Sequence, residues 1–79
     1  MEQHWRSRIT SDPGIFGGKP IIRGMRIRVI DILDYLAGGE SRRSLLAEFK
    51  ELEDEDITAA LYFASEALSQ PTKVIEAAE

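Results

Sequence analysis

The chain contains no cysteine and a single histidine. Without cysteine there is no disulfide and no thiolate metal site to support the fold. The lone His4 lies near the N-terminus, and the sequence offers no serine nucleophile with an evident positioned base. Long hydrophobic runs are missing too. No stretch approaches the roughly 18 apolar residues that a membrane-crossing helix requires. The opening MEQHWRSR lacks the apolar centre of a secretory leader. A soluble cytoplasmic protein with no membrane contact is the expectation. The acidic run Glu53-Asp54-Glu55-Asp56 does not have the ligand spacing of a calcium loop. It reads as charge placed in the first turn of a helix, where the helix dipole favours it. Asp31 and Asp34 are spaced to share a helix face, and that face reads as solvent-exposed rather than as an acid–base pair. No catalytic residue, metal site or cofactor is expected, and the chain is not read as an enzyme.

What is present fits one domain. Seventy-nine residues bury only a small core, and with no covalent staple a second copy or a partner is the remaining way to bury more. The net charge of −4 is unevenly divided: residues 1–30 carry +4 and residues 31–79 carry −8. A basic front and an acidic back suggest two surfaces with different partners.

The stretch GGKPIIRGMRI, residues 17–27, invites two readings. A phosphate loop fails on three counts: the spacer between Gly14 and Gly18 is too short, Pro20 stands where a hydroxyl is needed, and the following pattern is a strand. A β-hairpin fits. With Arg23-Gly24 at the centre of a tight turn, Ile22 opposes Met25, Ile21 opposes Arg26, Pro20 opposes Ile27 and Lys19 opposes Arg28. One face is then Pro20, Ile22, Met25, Ile27 and Val29; the other is Lys19, Ile21, Arg26 and Arg28.

Helical periodicity takes over at Val29 and runs to Ala37, ended by Gly38-Gly39. Ser41 is suited to cap a second helix, RRSLLAEF, with Leu45, Leu46 and Phe49 inward. A third helix spans about Asp54 to Leu68, with an apolar stripe of Ile57, Ala60, Leu61, Ala64 and Leu68. Pro71 stops it. The domain division is an N-terminal arm or short edge strand (1–10), a single domain (11–69) and a C-terminal tail (70–79). The fold class is mainly α: an N-terminal β-hairpin, then a three-helix, helix-turn-helix-like domain of the homeodomain or winged-helix kind.

Six basic residues are the candidates for DNA phosphate contact: Lys19, Arg23, Arg26 and Arg28 on the hairpin, and Arg42 and Arg43 at the start of the second helix. The third helix argues against a standard groove-reading pose, because its first turn is acidic. Tyr62 and Phe63, with Val74 and Ile75 in the tail, are the candidates for a protein partner.

Residues 9–64 resemble the domain-of-unknown-function family 433, small bacterial and archaeal proteins. The matching features are the Asp12-Pro13 turn, Gly18-Lys19-Pro20, Ile22-Arg23-Gly24, Arg26-Ile27, Val29, Leu36-Ala37, Gly39, Ser41, Leu52 and the Asp56–Ala64 helix. Met25 departs from the family's usual threonine, and KEL at 50–52 lacks the proline often found there. The resemblance implies a helix-turn-helix-like domain, commonly a homodimer, with no established catalytic residues. It further implies an antitoxin of the VapBC type, binding and silencing a PIN-like nuclease toxin and repressing the shared operon through operator DNA. The alternative is a protein-interaction or dimerisation module that never binds DNA.

Overall fold

The computed structural model describes residues 4–69 and 71. A 3₁₀ turn, His4–Arg8, leads into strand β1 (Ile9–Thr10). A turn-rich connection containing a second 3₁₀ turn, Phe16–Gly18, then reaches β2 (Ile21–Ile22). Three helices follow: α1 (Val29–Ala37), α2 (Arg42–Glu48) and α3 (Asp54–Ala67). Among the described residues, no helix is long and apolar enough to cross a membrane.

The helix ends follow from their residues. Ser41 Oγ accepts the Ser44 backbone N–H at 3.0 Å and caps α2. Asp31, at the third position of α1, reaches back to accept the Arg28 backbone N–H at 3.0 Å. At the end of α1, Glu40 N–H donates to Tyr35 C=O and Gly39 N–H to Leu36 C=O, both at 3.0 Å. These bonds close a Schellman motif, which needs Gly39 at φ +98°.

An antiparallel strand pair is present, but its members are β1 and β2, with Ile9 opposite Ile22 and Thr10 opposite Ile21. The expected turn at Arg23-Gly24 does form: both residues have positive φ, and Met25 N–H donates to Ile22 C=O at 2.7 Å. The returning segment pairs two residues later than the tight register requires. Ile22 N–H donates to Ile27 C=O, and Ile21 bridges Arg28 rather than Arg26. Met25 and Arg26 are looped out. A shift of two preserves which residues share a face, so Ile22, Ile27 and Val29 still enter the core. Ile21, expected on the outer face, is fully buried. Successive strand residues point to opposite faces, so both faces of β2 are covered.

The main core joins Ile22, Ile27 and Val29 to Ile32, Leu45, Leu52, Ile57 and Ala60. The stripe expected on α3 is rotated. Its buried residues are Asp56, Ile57, Ala59 and Ala60, while Leu61 and Leu68 are exposed. The cause is the N-terminal segment, which lies along α3 with Trp5 buried and its ring near-parallel to that of Tyr62, 6.0 Å between centroids. Of the two alternatives for residues 1–10, the short strand is the one present at Ile9–Thr10.

Candidate functional site

The N-terminal turn, the Arg23-Gly24 turn and the start of α3 meet at one carboxylate. Asp56 is fully buried. Its Oδ1 accepts from Arg23 Nε at 3.0 Å and Arg8 Nη1 at 2.9 Å; its Oδ2 accepts from Arg23 Nη2 at 2.7 Å and the Glu53 backbone N–H at 2.9 Å. A charge without solvent persists only when its lone pairs are filled by good donors, and here they are. Burial pushes the Asp56 carboxyl up. The hydrogen bonds from Arg23, the Glu53 N–H and Arg8 together outweigh that effect and hold it below the usual carboxylate range. Arg23 sits at φ 44°, in the left-handed region. That position costs about 1 kcal/mol for a residue with a side chain; it also aims the guanidinium at Asp56 and at the Glu51 carbonyl, 3.0 Å away.

Two more of the six expected DNA contacts are engaged within the chain. Arg28 forms a fork on Asp31, with Nη2 to Oδ1 at 2.7 Å, and its guanidinium lies 5.0 Å from the Phe16 ring centre. Its hydrogen bonds hold the Asp31 carboxyl below the usual range. Arg42 donates to Asp54 Oδ1 at 2.9 Å and to Thr58 Oγ1 at 2.6 Å, tying α2 to α3 and lowering the Asp54 pKa. Lys19, Arg26 and Arg43 make no ion pair among the described residues. They lie before β2, in the looped-out segment and on α2.

The acidic run at 53–56 is therefore mostly compensated. Arg8 meets Glu53 at 2.7 Å, Arg42 meets Asp54, and Arg8 and Arg23 share Asp56. Sequence reasoning treated all four carboxylates as a solvated first turn and missed Asp56. The available signal was its spacing: Asp56, Ala59, Ala60 and Phe63 share one helix face, which made Asp56 the member aimed inward. Among the described residues, no buried side-chain polar atom lacks a partner, and no group of acidic or histidine side chains is arranged to hold a metal ion.

The expected partner contacts separate. Tyr62 is half-buried beside Trp5; Phe63 is half-buried and packs on the core. Val74 and Ile75 lie outside the described residues. Phe63 also walls an apolar groove of about 340 Å³ between α1 and α3. Pro20, Val29 and Leu33 form one wall; Ala64 and Ala67 continue the other. Ile30 and Leu68 rise at its rim, 45 % and 79 % exposed. Lys19 is the charged side chain on its lining.

The class these features define is a small α-rich domain: three helices on a two-stranded antiparallel sheet, clasped at a buried aspartate and open along one apolar groove. The family model described as Protein of unknown function (DUF433) matches residues 9–64, and the chain belongs to that family. The uncharacterized protein y4eO of Sinorhizobium fredii (strain NBRC 101917 / NGR234) is 37% identical over 59 residues, covering 75% of this chain and 27% of that protein. The crystal structure of a DUF433 member from Anabaena variabilis ATCC 29413 matches with a TM-score of 0.73 at 33% identity, over 81% of this chain and 63% of that one. The chain thus spans about a quarter of the curated relative and less than two thirds of the solved one.

Proposed function

We propose that this chain is a protein-binding module of the antitoxin type, acting in the cytoplasm to cover a PIN-like nuclease toxin in a VapBC-type pair. The observation that carries the protein-binding reading is where the arginines go. Three of the six expected cations, Arg23, Arg28 and Arg42, are held by carboxylates of the same chain. A base-reading surface needs its cations free and together; a protein-binding surface needs exposed apolar area, which the α1–α3 face supplies. The test is co-expression with the product of the adjacent gene. Co-purification with a nuclease-like neighbour, and no operator shift at about 100 mM salt, is the expected result. Absence of any such complex removes the reading.

A DNA-binding reading has one observation in its favour. Pairing with Arg8, Arg23 and Arg42 offsets most of the repulsion that the start of α3 would otherwise meet at a phosphate backbone. In this second reading, the short α2–α3 connection makes a helix-turn-helix of the homeodomain or winged-helix kind, and operator DNA is the partner. An operator shift abolished by Arg26→Glu with Arg43→Glu would establish it. Arg28→Glu is the poorer probe, because it also breaks the Asp31 contact at the start of α1.

A further inference from the structure

The apolar groove between α1 and α3 begins where the chain leaves α3. Ser69 closes that helix, donating its N–H at 3.1 Å and its hydroxyl at 2.7 Å to the Glu66 C=O. Leu68, just before it, is exposed and stands on the rim of the groove. Pro71 then bars a helical continuation. Across the groove lies the start of α1, where Val29 N–H donates to Pro20 C=O at 3.0 Å and Lys19 joins the lining. The C-terminal end of one helix and the N-terminal end of the other therefore border the same recess. Residues 72–79, Thr-Lys-Val-Ile-Glu-Ala-Ala-Glu, come next in the sequence and lie outside the described residues. Their order suits a crossing from α3 to α1. Lys73 comes first, at the carbonyl end of α3, which favours a cation. Val74 and Ile75 follow, opposite the apolar lining. Glu76 comes next, towards the N–H end of α1, which favours an anion. Lys19 awaits it there and makes no ion pair among the described residues.

We infer that residues 72–79 dock back across the α1–α3 groove of their own chain, with Val74 and Ile75 seated against Leu33 and Phe63 and with Glu76 at Lys19. The reach is ample. From Leu68 to Ile75 the chain spans about 23 Å when extended, and packed helices stand only about 8–10 Å apart between axes. Tethering decides between this occupant and a separate molecule. A segment on a short linker meets its site at an effective concentration on the order of millimolar, whereas a second copy or another protein meets it only at its own concentration in solution. A partner that uses the groove has to displace the segment first. The inference goes beyond the antitoxin reading, and either can fail alone. A segment that docks in a chain capturing no neighbour overturns only the antitoxin role; a neighbour captured by a chain whose segment does not dock overturns only the docking.

The experiment is disulfide trapping in the full chain, with far-UV circular dichroism as the check on folding. The chain has no native cysteine, so an engineered pair reports proximity without background. Ile30→Cys with Ile75→Cys, at about 5 μM in oxidised glutathione, should close an intramolecular disulfide about tenfold faster or more than Glu48→Cys with Ile75→Cys, whose first site is on α2 and off the groove lining. Lys19→Glu in the first pair should slow closure several-fold, and adding Glu76→Lys should restore it. Val74→Asp with Ile75→Asp, in the chain without cysteine, should uncover the groove and raise the emission of added 1-anilinonaphthalene-8-sulfonate several-fold with the helical spectrum unchanged. Closure no faster than in the α2 control overturns the inference. So does a product that is mainly a covalent dimer, which would make a second copy the occupant. A charge exchange that restores nothing, or dye emission unchanged in the folded double aspartate variant, overturns it as well.

Discussion

Asp56 shows how much one side chain can decide in a small domain. A chain of this length has about 4–12 kcal/mol of total stability. Removing one partner from a buried, hydrogen-bonded charge group costs about 3–5 kcal/mol. Asp56→Asn keeps the size but loses the charge that two arginines face, so the urea midpoint should fall by a large fraction of its wild-type value. An unchanged midpoint would mean that Arg8 and Arg23 are as well served by water. The pH dependence has a definite sign. The folded carboxyl titrates below its unfolded value of about 3.9, so its contribution is fully present above that value and is lost as pH falls through the folded pKa. Asp31 and Asp54 are lowered as well, by Arg28 and Arg42, and add to the same window. Stability measured by urea unfolding should be level from about pH 7 to pH 5 and decline below about pH 4. A decline centred near pH 6 would count against the three aspartates as its source.

Each helix is set by its ends, and those ends were readable. Val29–Ala37, Arg42–Glu48 and Asp54–Ala67 lie where periodicity, Ser41 and Gly38-Gly39 place them. Gly39 is the sharpest of these signals. At φ +98°, with no heavy atom within 4 Å of an added Cβ, it is required for conformation and not for space. Gly39→Ala should therefore cost roughly 1–2 kcal/mol, seen as a lower melting temperature with an unchanged helical spectrum. A variant as stable as wild type would show that the α1–α2 corner can close another way. The strands were less legible. The turn at Arg23-Gly24 is local and its residues announce it. The partner of β2 is not local: Ile9 and Thr10 lie more than ten residues upstream, and nothing in a two-residue strand specifies its mate. The looped-out Met25 and Arg26 were hidden for a related reason, since a shift of two leaves the hydrophobic pattern unaltered. The destination of the arginines was illegible too, because a sequence shows charge but not which carboxylate will lie within reach of it.

At the scale of the whole molecule, the N-terminal segment is part of the fold. His4–Arg8 precedes the residues that the family model matches, yet Trp5 is buried on α3 and Arg6 pairs with Glu66 at 2.7 Å. Trp5→Ala should lower stability by about 3 kcal/mol, within the range for large aromatics removed from a packed site, as measured by circular dichroism in urea. A loss under about 0.5 kcal/mol would show that the segment merely rests on the helix. Because Trp5 is the chain's one tryptophan, its emission reports the docking of this segment directly in the wild type.

The Asp56 clasp also has a kinetic consequence. Its bonds to Arg8 and Arg23 join residues 48 and 33 apart in the chain. Closing the longer loop costs only about 0.3 kcal/mol more than closing the shorter, from the logarithmic growth of loop entropy, so neither bond has a strong claim to form first. Both require the two turns to be seated against a formed α3, so the expectation is that they close after the rate-limiting step. Asp56→Asn should then accelerate unfolding by roughly a hundredfold to several thousandfold and leave the folding rate nearly unchanged. The two arms of a stopped-flow chevron separate these effects, and a folding arm slowed in proportion to the lost stability would put the clasp in the nucleus. On this view the aspartate acts chiefly as a latch on the lifetime of the folded state.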